Sequence, residues 1–181
     1  MENDKGVKII GGNGVRIDFD FYPTPKECTV ALLSFMNWPR MVIWEPACGE
    51  MAMSNVLSEN GHQVYSTDIN KGQDFFSTDP QTRFDAIITN PPFKYAEKFI
   101  RKAIIDADIS AMLLKTQYWH ASKRTKLFED NPPAFILALN WRPNFFGELA
   151  TGSPTMDFIW TVWIKGETDT RFRILSKPTN Q

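Results

Sequence analysis

The chain alternates between short apolar runs typical of buried β-strands and longer segments with apolar residues at helical spacing. Residues 41–45, MVIWE, form an apolar run, and residues 51–60 then show a helical pattern that ends at Gly61. Residues 63–68 alternate in polarity, and residues 84–89, FDAIIT, form a further apolar run that two prolines stop. This order predicts a strand, a helix and two more strands.

The second half of the chain continues the alternation. Residues 95–107 carry apolar side chains at helical spacing, residues 110–114 form an apolar strand pattern, and residues 119–130 are predicted to form another helix. Two late apolar runs, residues 134–139 and 158–164, predict strands that form a hairpin or an antiparallel pair. Since apolar strand runs are typical of a sheet covered on both faces, the pattern predicts a doubly wound α/β fold.

Length and composition indicate one globular domain. A chain of 181 residues with 43% apolar residues has the size and the apolar content of a single folded domain, predicted here for residues 21–181. Residues 1–20 contain a glycine cluster and predict a flexible arm. No signal peptide, membrane span or metal-binding spacing of Cys and His is found in the sequence, so we expect a cytoplasmic protein without a structural metal.

The charge balance excludes a basic surface over the whole molecule. Twenty Lys and Arg stand against 21 Asp and Glu, which gives a formal net charge of -1. Residues 94–126 are locally basic, and this excess fits a nucleic-acid surface. It fits a pair of solvated helical faces equally well.

Polar residues follow the predicted strands, where ligands bind in doubly wound sheets. Glu45 begins a strand-to-helix turn that contains Gly49, and a glycine there lets the backbone approach a ligand. Asp68 suits an acidic residue that holds ribose hydroxyls, and Asp74 with Phe75 suits an adenine amine and ring. Taken singly, these features also fit an ordinary turn, a solvated carboxylate and a core aromatic.

The segment Asn90-Pro91-Pro92-Phe93 ends an apolar strand with an amide, a rigid backbone and an aromatic ring. Because Asn90 precedes a proline, it is held extended, and its side-chain carbonyl can point with a main-chain carbonyl at one exocyclic amine. Phe93 is able to stack on the ring that carries the amine. A lone segment of this kind also fits a strand-terminating turn.

Together these segments resemble the motifs of S-adenosylmethionine-dependent amino-methyltransferases, specifically the adenine-specific DNA methyltransferases, including small phage-encoded forms. Residues 21–25, FYPTP, resemble the amino-terminal cofactor motif of that family, and residues 45–49 resemble its strand-one loop. Residues 90–93 are similar to its catalytic tetrapeptide, [D/N/S]PP[Y/F/W]. The motifs occur in the same order and cover most of the chain, from residue 21 to about residue 115.

The resemblance implies a mostly parallel seven-stranded sheet with an antiparallel closing strand, the Rossmann-like methyltransferase fold. It implies S-adenosylmethionine as cofactor and methyl transfer to the N6 amine of adenine in DNA, either double-stranded with the base flipped out or single-stranded. The catalytic residues it implies are Asn90, Pro91, Pro92 and Phe93. The cofactor contacts it implies are Tyr22, Thr24, Pro25, Glu45, Pro46, Ala47, Cys48, Gly49, Asp68, Ile69, Asp74, Phe75 and Asn90. The substrate contacts expected on the same basis are Phe93, Tyr95, Lys115, Trp141 and Arg142.

Two departures from the family pattern limit these expectations. Met51 stands where the family usually has a second glycine, which predicts a tighter loop or weaker cofactor affinity. A separate target-recognition domain has no room beyond residues 140–157, so we expect low sequence specificity or a recognition partner, and a monomer or weak dimer. Two alternatives remain open: a methyltransferase acting on RNA bases or a protein glutamine amide, and a non-catalytic partner subunit that binds cofactor or nucleic acid.

Overall fold

The computed structural model describes residues 23–79, 83–145 and 153–179. The predicted arm at residues 1–20, the expected cofactor residue Tyr22 and the middle of the loop at residues 140–157 lie outside the described residues. The helices are α1 (Lys26–Met36), α2 (Ala52–Glu59), α3 (Ala96–Asp106) and α4 (Thr125–Asp130). The strands are β1 (Val42–Glu45), β2 (Gln63–Ser66), β3 (Phe84–Thr89), β4 (Ala107–Lys115), β5 (Phe135–Leu139), β6 (Phe158–Ile164) and β7 (Arg171–Leu175).

The strands of the described chain form one seven-stranded sheet in the order β2-β1-β3-β4-β6-β5-β7. Strands β2, β1, β3 and β4 are mutually parallel, and β5 pairs with β7 in parallel. Strand β6 is antiparallel to both of its neighbours, β4 and β5. The expected mostly parallel sheet is confirmed. Its antiparallel strand, β6, lies inside the sheet, and the two edge strands are β2 and β7.

Two hydrophobic clusters cover the two faces of the sheet. On one face, α1 and α2 pack against side chains that include Ile43, Ile88 and Leu113. On the other face, α3 and α4 pack against side chains that include Ile87 and Met112. Because successive strand residues point to opposite faces, neighbouring residues belong to different clusters. The doubly wound prediction is therefore confirmed.

Most of the predicted elements are present, but the helix expected at residues 119–130 is wrong in its first half. Residues 116–124 form short 3-10 turns, and α4 begins at Thr125. The Arg124 guanidinium donates a hydrogen bond of 2.7 Å to the Tyr118 carbonyl and lies 3.7 Å from the centroid of its ring. These two contacts connect Arg124 to Tyr118 within the segment of 3-10 turns.

No helix in residues 23–79, 83–145 or 153–179 is long and apolar enough to cross a membrane.

Candidate active site

The carboxyl ends of the four parallel strands meet at one edge of the sheet, and the predicted polar residues follow them. Glu45 ends β1, Asp68 follows β2, Asn90 follows β3 and Lys115 ends β4. Hydrogen bonds and ring contacts connect the segments that follow these strands. The structure thus gathers residues that are widely separated in sequence into one region.

The loop between β1 and α2 is fastened to the end of β2. The Gly49 amide donates a hydrogen bond of 2.9 Å to Asp68 Oδ2, and the Cys48 amide donates one of 3.0 Å to the Thr67 carbonyl. The other oxygen, Asp68 Oδ1, accepts a hydrogen bond of 2.8 Å from the Asn70 amide. Each carboxylate oxygen has a second lone pair, so Asp68 keeps the capacity to accept from ligand hydroxyls.

Met51 adopts the left-handed backbone conformation that glycine favours. Its φ is 68° and its ψ is 17°, and it is the N-cap residue that immediately precedes α2. This is the position where the resembled family usually carries its second glycine. The loop therefore has a backbone conformation that suits glycine, although a residue with a side chain stands there, and this strains the backbone.

Glu45 lies beneath this loop and not on its surface. Its side chain is only 2% exposed, and its carboxylate accepts a hydrogen bond from Ser54 on α2. The Ser54 hydroxyl also lies 2.6 Å from that of Ser66 on β2. Burial raises the pKa of Glu45 to about 7 and outweighs the opposing effect of the Ser54 hydrogen bond.

The remaining residues of the loop present little reactive chemistry. Pro46 and Cys48 are buried, and Ala47 is half-buried. Burial raises the pKa of the Cys48 thiol, although the Lys71 ammonium lies 3.6 Å from its sulfur and opposes this effect. A thiol held neutral in this way is a poor nucleophile.

Of the two apolar residues expected beside Asp68 and Asp74, Ile69 is exposed and Phe75 is buried. Ile69 is 66% exposed, as a residue that covers a ligand ring should be. Phe75, expected to cover adenine, is 2% exposed and packs in the core against Trp44 and Phe99. Its neighbour Phe76 is 41% exposed and is the ring that this turn leaves on the surface.

Asp74 determines which of the two aromatic residues faces outward. Its Oδ1 accepts a hydrogen bond of 3.1 Å from the Phe76 amide, and its carbonyl accepts one of 2.7 Å from the Thr78 hydroxyl. These bonds form a side-chain-stabilised turn. The sequence Asp-Phe-Phe predicts an aromatic ring beside the Asp74 carboxylate. It does not indicate which of the two rings is exposed.

Asn90 is held by the segment that precedes α1. Its Nδ2 donates a hydrogen bond of 3.2 Å to Thr24 Oγ1, and Thr24 is buried. The other end of the amide, Asn90 Oδ1, is buried and has no hydrogen-bond partner among the described residues. Pro25, the next residue of the same segment, immediately precedes α1.

The aromatic rings of Phe93 and Tyr95, which follow Asn90, each lie close to a lysine ammonium group. The Lys115 ammonium is 3.7 Å from the centroid of the Phe93 ring, and Phe158 lies 6.4 Å from Phe93 on a tilted plane. Tyr95 is exposed, with the Lys94 ammonium 5.3 Å from its ring centroid. Both rings are thus paired with cations, an arrangement that attracts electron-rich planar groups and anions alike.

Trp141 and Arg142 lie at the base of the loop at residues 140–157. Trp141 packs against the core cluster on the face of α1 and α2. Arg142 Nε lies 2.8 Å from Asp157 Oδ1, and this exposed ion pair joins the two ends of the loop. Because residues 146–152 lie outside the described residues, the contacts above concern only the base of the loop.

No cluster of three or more His, Cys, Asp and Glu side chains suited to a metal ion occurs in the part of the chain that the structure describes.

Comparison with known proteins places this fold among the methyltransferases. No protein-family model and no curated protein matches the sequence. A candidate class I S-adenosylmethionine-dependent methyltransferase from Listeria monocytogenes aligns with a TM-score of 0.59 and 13% identity over 92% of this chain and 68% of that chain. A candidate RNA methyltransferase from Pyrococcus horikoshii aligns with a TM-score of 0.59 and 15% identity over 87% of this chain and 94% of that chain.

A third similar structure is the methyltransferase subunit of a type I restriction-modification system from Streptococcus thermophilus. Its TM-score is 0.56 at 12% identity, over 82% of this chain and 45% of that chain. At such low identity, these likenesses show the fold. The chain has the Rossmann-like fold of the class I methyltransferases.

Proposed function

We propose that this chain binds S-adenosylmethionine and transfers its methyl group to the N6 amine of adenine in DNA. The observation that carries the proposal is Asn90 Oδ1, a buried acceptor without a partner at the end of β3. Leaving such an oxygen unpaired costs about 1–3 kcal/mol. An exocyclic amine of the substrate would supply the missing donor.

The residues at the ends of β1 and β2 fit the cofactor. Asp68 would accept hydrogen bonds from the ribose hydroxyls, with its orientation fixed by the Gly49 and Asn70 amides. The exposed side chains of Ile69 and Phe76 would cover the adenine ring. When bound, S-adenosylmethionine supplies an electrophilic methyl group on a positively charged sulfur.

The protein would act on the acceptor by holding its amine. Asn90 Oδ1 and the Pro91 carbonyl would accept the two N–H groups, which pulls the nitrogen towards tetrahedral geometry and frees its lone pair. Phe93 would stack on the base that carries the amine. Since a duplex buries this amine in a base pair, the base has to be flipped out or the DNA has to be single-stranded.

The choice of DNA rests on the combined motifs FYPTP, EPACG and NPPF and on their resemblance to adenine-specific DNA methyltransferases. The fold alone is compatible with other acceptors, because the similar structures include a type I restriction-modification subunit and a candidate RNA methyltransferase. RNA bases and a glutamine amide present a planar amine as well. Direct competition between these acceptors decides among them.

The test is nucleoside mass spectrometry on unmethylated DNA incubated with the purified protein and S-adenosylmethionine. We expect N6-methyladenine with the wild-type protein and a loss of at least about 100-fold with Asn90→Ala, since the substitution removes a hydrogen bond aimed at the reacting group. Asn55→Ala is the matched control, because Asn55 is exposed on α2. Cofactor binding, measured by calorimetry, should remain in both variants.

Three outcomes would contradict the proposal in different ways. Full activity of Asn90→Ala would remove Asn90 from the mechanism. Methylation of RNA or protein in preference to DNA would keep the site and change the acceptor. Absence of cofactor binding in the wild-type protein would favour a non-catalytic partner subunit.

A further inference from the structure

A side-chain amide at a catalytic position has to be held in one of two orientations. The last torsion of asparagine is nearly two-fold, and both orientations fill the same space. One of them presents the carbonyl oxygen to an incoming amine, whereas the other presents an NH₂ group that repels it. The protein therefore needs a neighbouring group that selects the productive orientation of Asn90.

Thr24 is the neighbour that contacts the other end of this amide. Its Oγ1 accepts a hydrogen bond of 3.2 Å from Asn90 Nδ2, across 66 positions of sequence. Thr24 is 8% exposed, so bulk water competes poorly for this contact. With Nδ2 engaged in this way, the opposite oxygen is the end of the amide that has no hydrogen-bond partner among the described residues.

The backbone on both sides of this contact is rigid. Thr24 lies between Pro23 and Pro25, whose rings fix their own φ angles, and a residue before proline is held extended. The following helix α1 is tied to the sheet, because Trp160 Nε1 donates a hydrogen bond of 2.9 Å to the Cys28 carbonyl. Asn90 is itself followed by Pro91. The two side chains therefore meet with little freedom to move apart.

We infer that Thr24 is a positioning residue that orients the Asn90 amide so that Oδ1 faces the acceptor amine. The inference rests on the proposed function, because it concerns the same amine site. It places Thr24 on the acceptor side, whereas the family resemblance implies a cofactor contact. The bond from Nδ2 also polarises the amide and makes Oδ1 a stronger acceptor.

The test compares three substitutions in the full-length protein. Thr24→Val removes the hydroxyl with little change of shape, and Thr24→Ser keeps it. Thr29→Val is the matched control, because Thr29 is buried on α1 and its hydroxyl has no hydrogen-bond partner within the described ranges. We expect Thr24→Val to lower kcat by about tenfold or more, while Thr24→Ser and Thr29→Val retain kcat within about twofold.

Cofactor affinity separates positioning from cofactor contact. If Thr24 orients Asn90, the Kd for S-adenosylmethionine of Thr24→Val stays close to the wild-type value and kcat falls at saturating cofactor. A weaker Kd with an unchanged kcat would overturn the inference and restore the cofactor role. Circular dichroism melting of all three variants identifies any that lose the fold, and Thr24→Ser then serves as the folded comparison.

A double substitution tests whether Thr24 acts through Asn90. In Asn90→Ser there is no amide to orient, so adding Thr24→Val should leave the residual single-turnover rate within about twofold. If Thr24→Val lowered the rate by the same factor in the wild-type protein and in Asn90→Ser, the inference would be overturned. A wild-type protein that binds cofactor and methylates no acceptor would refute the proposed function itself, and this result is distinct from both outcomes.

Discussion

At the scale of single residues, Met51 shows the cost in backbone strain that the loop between β1 and α2 carries. A side chain in the left-handed conformation costs about 1–2 kcal/mol relative to the right-handed one, and glycine avoids most of this cost. Met51→Gly removes this strain and so stabilises the folded state. It also makes the unfolded chain more flexible, which lowers the free energy of unfolding by about 0.4–1 kcal/mol. Comparison with Met51→Ala is informative, because alanine removes the long side chain and keeps the strained Cβ.

We predict that Met51→Gly has a free energy of unfolding about 1 kcal/mol greater than that of Met51→Ala. Urea denaturation, followed by circular dichroism at constant protein concentration, measures the difference. Equal free energies of unfolding in the two variants would show that the φ of 68° at Met51 is not a source of strain.

The positions of single polar residues were more predictable than those of single aromatic residues. Asp68 and Asn90 follow apolar strand runs, and a parallel sheet places such residues at one edge. Phe75 and Phe76 lie in a turn outside any helix or strand, so no periodic pattern indicates which of the two rings is buried. In the folded chain, Asp74 Oδ1 accepts a hydrogen bond from the Phe76 amide, and the Phe76 ring is the exposed one of the two.

At the scale of elements, the strands that the sequence predicts well are those with an apolar pattern of their own. The run at residues 84–89 coincides with β3. Strand β7 was not predicted, because four of its five side chains are exposed and only Leu175 is buried. It pairs in parallel with β5, which lies about 30 residues earlier in the chain. Helix α1 was also missed, although Cys28, Ala31 and Leu32 have helical spacing.

Glu45 connects three elements. It ends β1, and its carboxylate accepts a hydrogen bond from Ser54 on α2. The Ser54 hydroxyl in turn contacts that of Ser66 on β2. Its pKa is about 7 in the folded protein and close to 4.5 in the unfolded chain. As the pH rises from 4.5 to 7, the unfolded chain loses this proton while the folded protein retains it. The unfolded state therefore binds fewer protons, and this group lowers the stability of the fold over that window.

We predict that Glu45→Gln removes this dependence. From about pH 5 to about pH 7.5, the wild-type free energy of unfolding should fall relative to that of Glu45→Gln by an amount on the order of 3 kcal/mol at most. Urea denaturation at several pH values measures both curves. Parallel curves would mean that Glu45 titrates in the folded protein as it does in the unfolded chain.

At the scale of the whole molecule, three of the cations in residues 94–126 are paired with carboxylates of their own helices. Arg101 pairs with Glu97, Lys102 pairs with Asp106, and Lys126 pairs with Asp130 along their own helices. Ion pairs of this kind solvate a helical face and contribute little to an external field. The remaining cations near the Asn90 segment include Lys94, which directly follows Phe93 and lies over the Tyr95 ring.

This difference between paired and unpaired lysines leads to a prediction about salt. If the acceptor is DNA, a lysine that neutralises a phosphate releases about one counterion, and its loss reduces the slope of log KM for DNA against log salt by about 1. We expect Lys94→Gln to reduce this slope and Lys126→Gln to leave it unchanged. Steady-state methylation assays between about 50 and 200 mM salt measure it.

The two lysines form a useful pair because the substitutions change the net charge equally. A general effect of net charge would reduce the slope in both variants alike, whereas a local phosphate contact reduces it only in Lys94→Gln. Lys126 Nζ lies 2.9 Å from Asp130 Oδ1, so its removal also leaves a carboxylate that repels DNA and should raise KM without lowering the slope. If Lys94→Gln left the slope of log KM against log salt unchanged, Lys94 would not contact a phosphate of the DNA. The phosphate contacts would then lie outside the segment after Phe93.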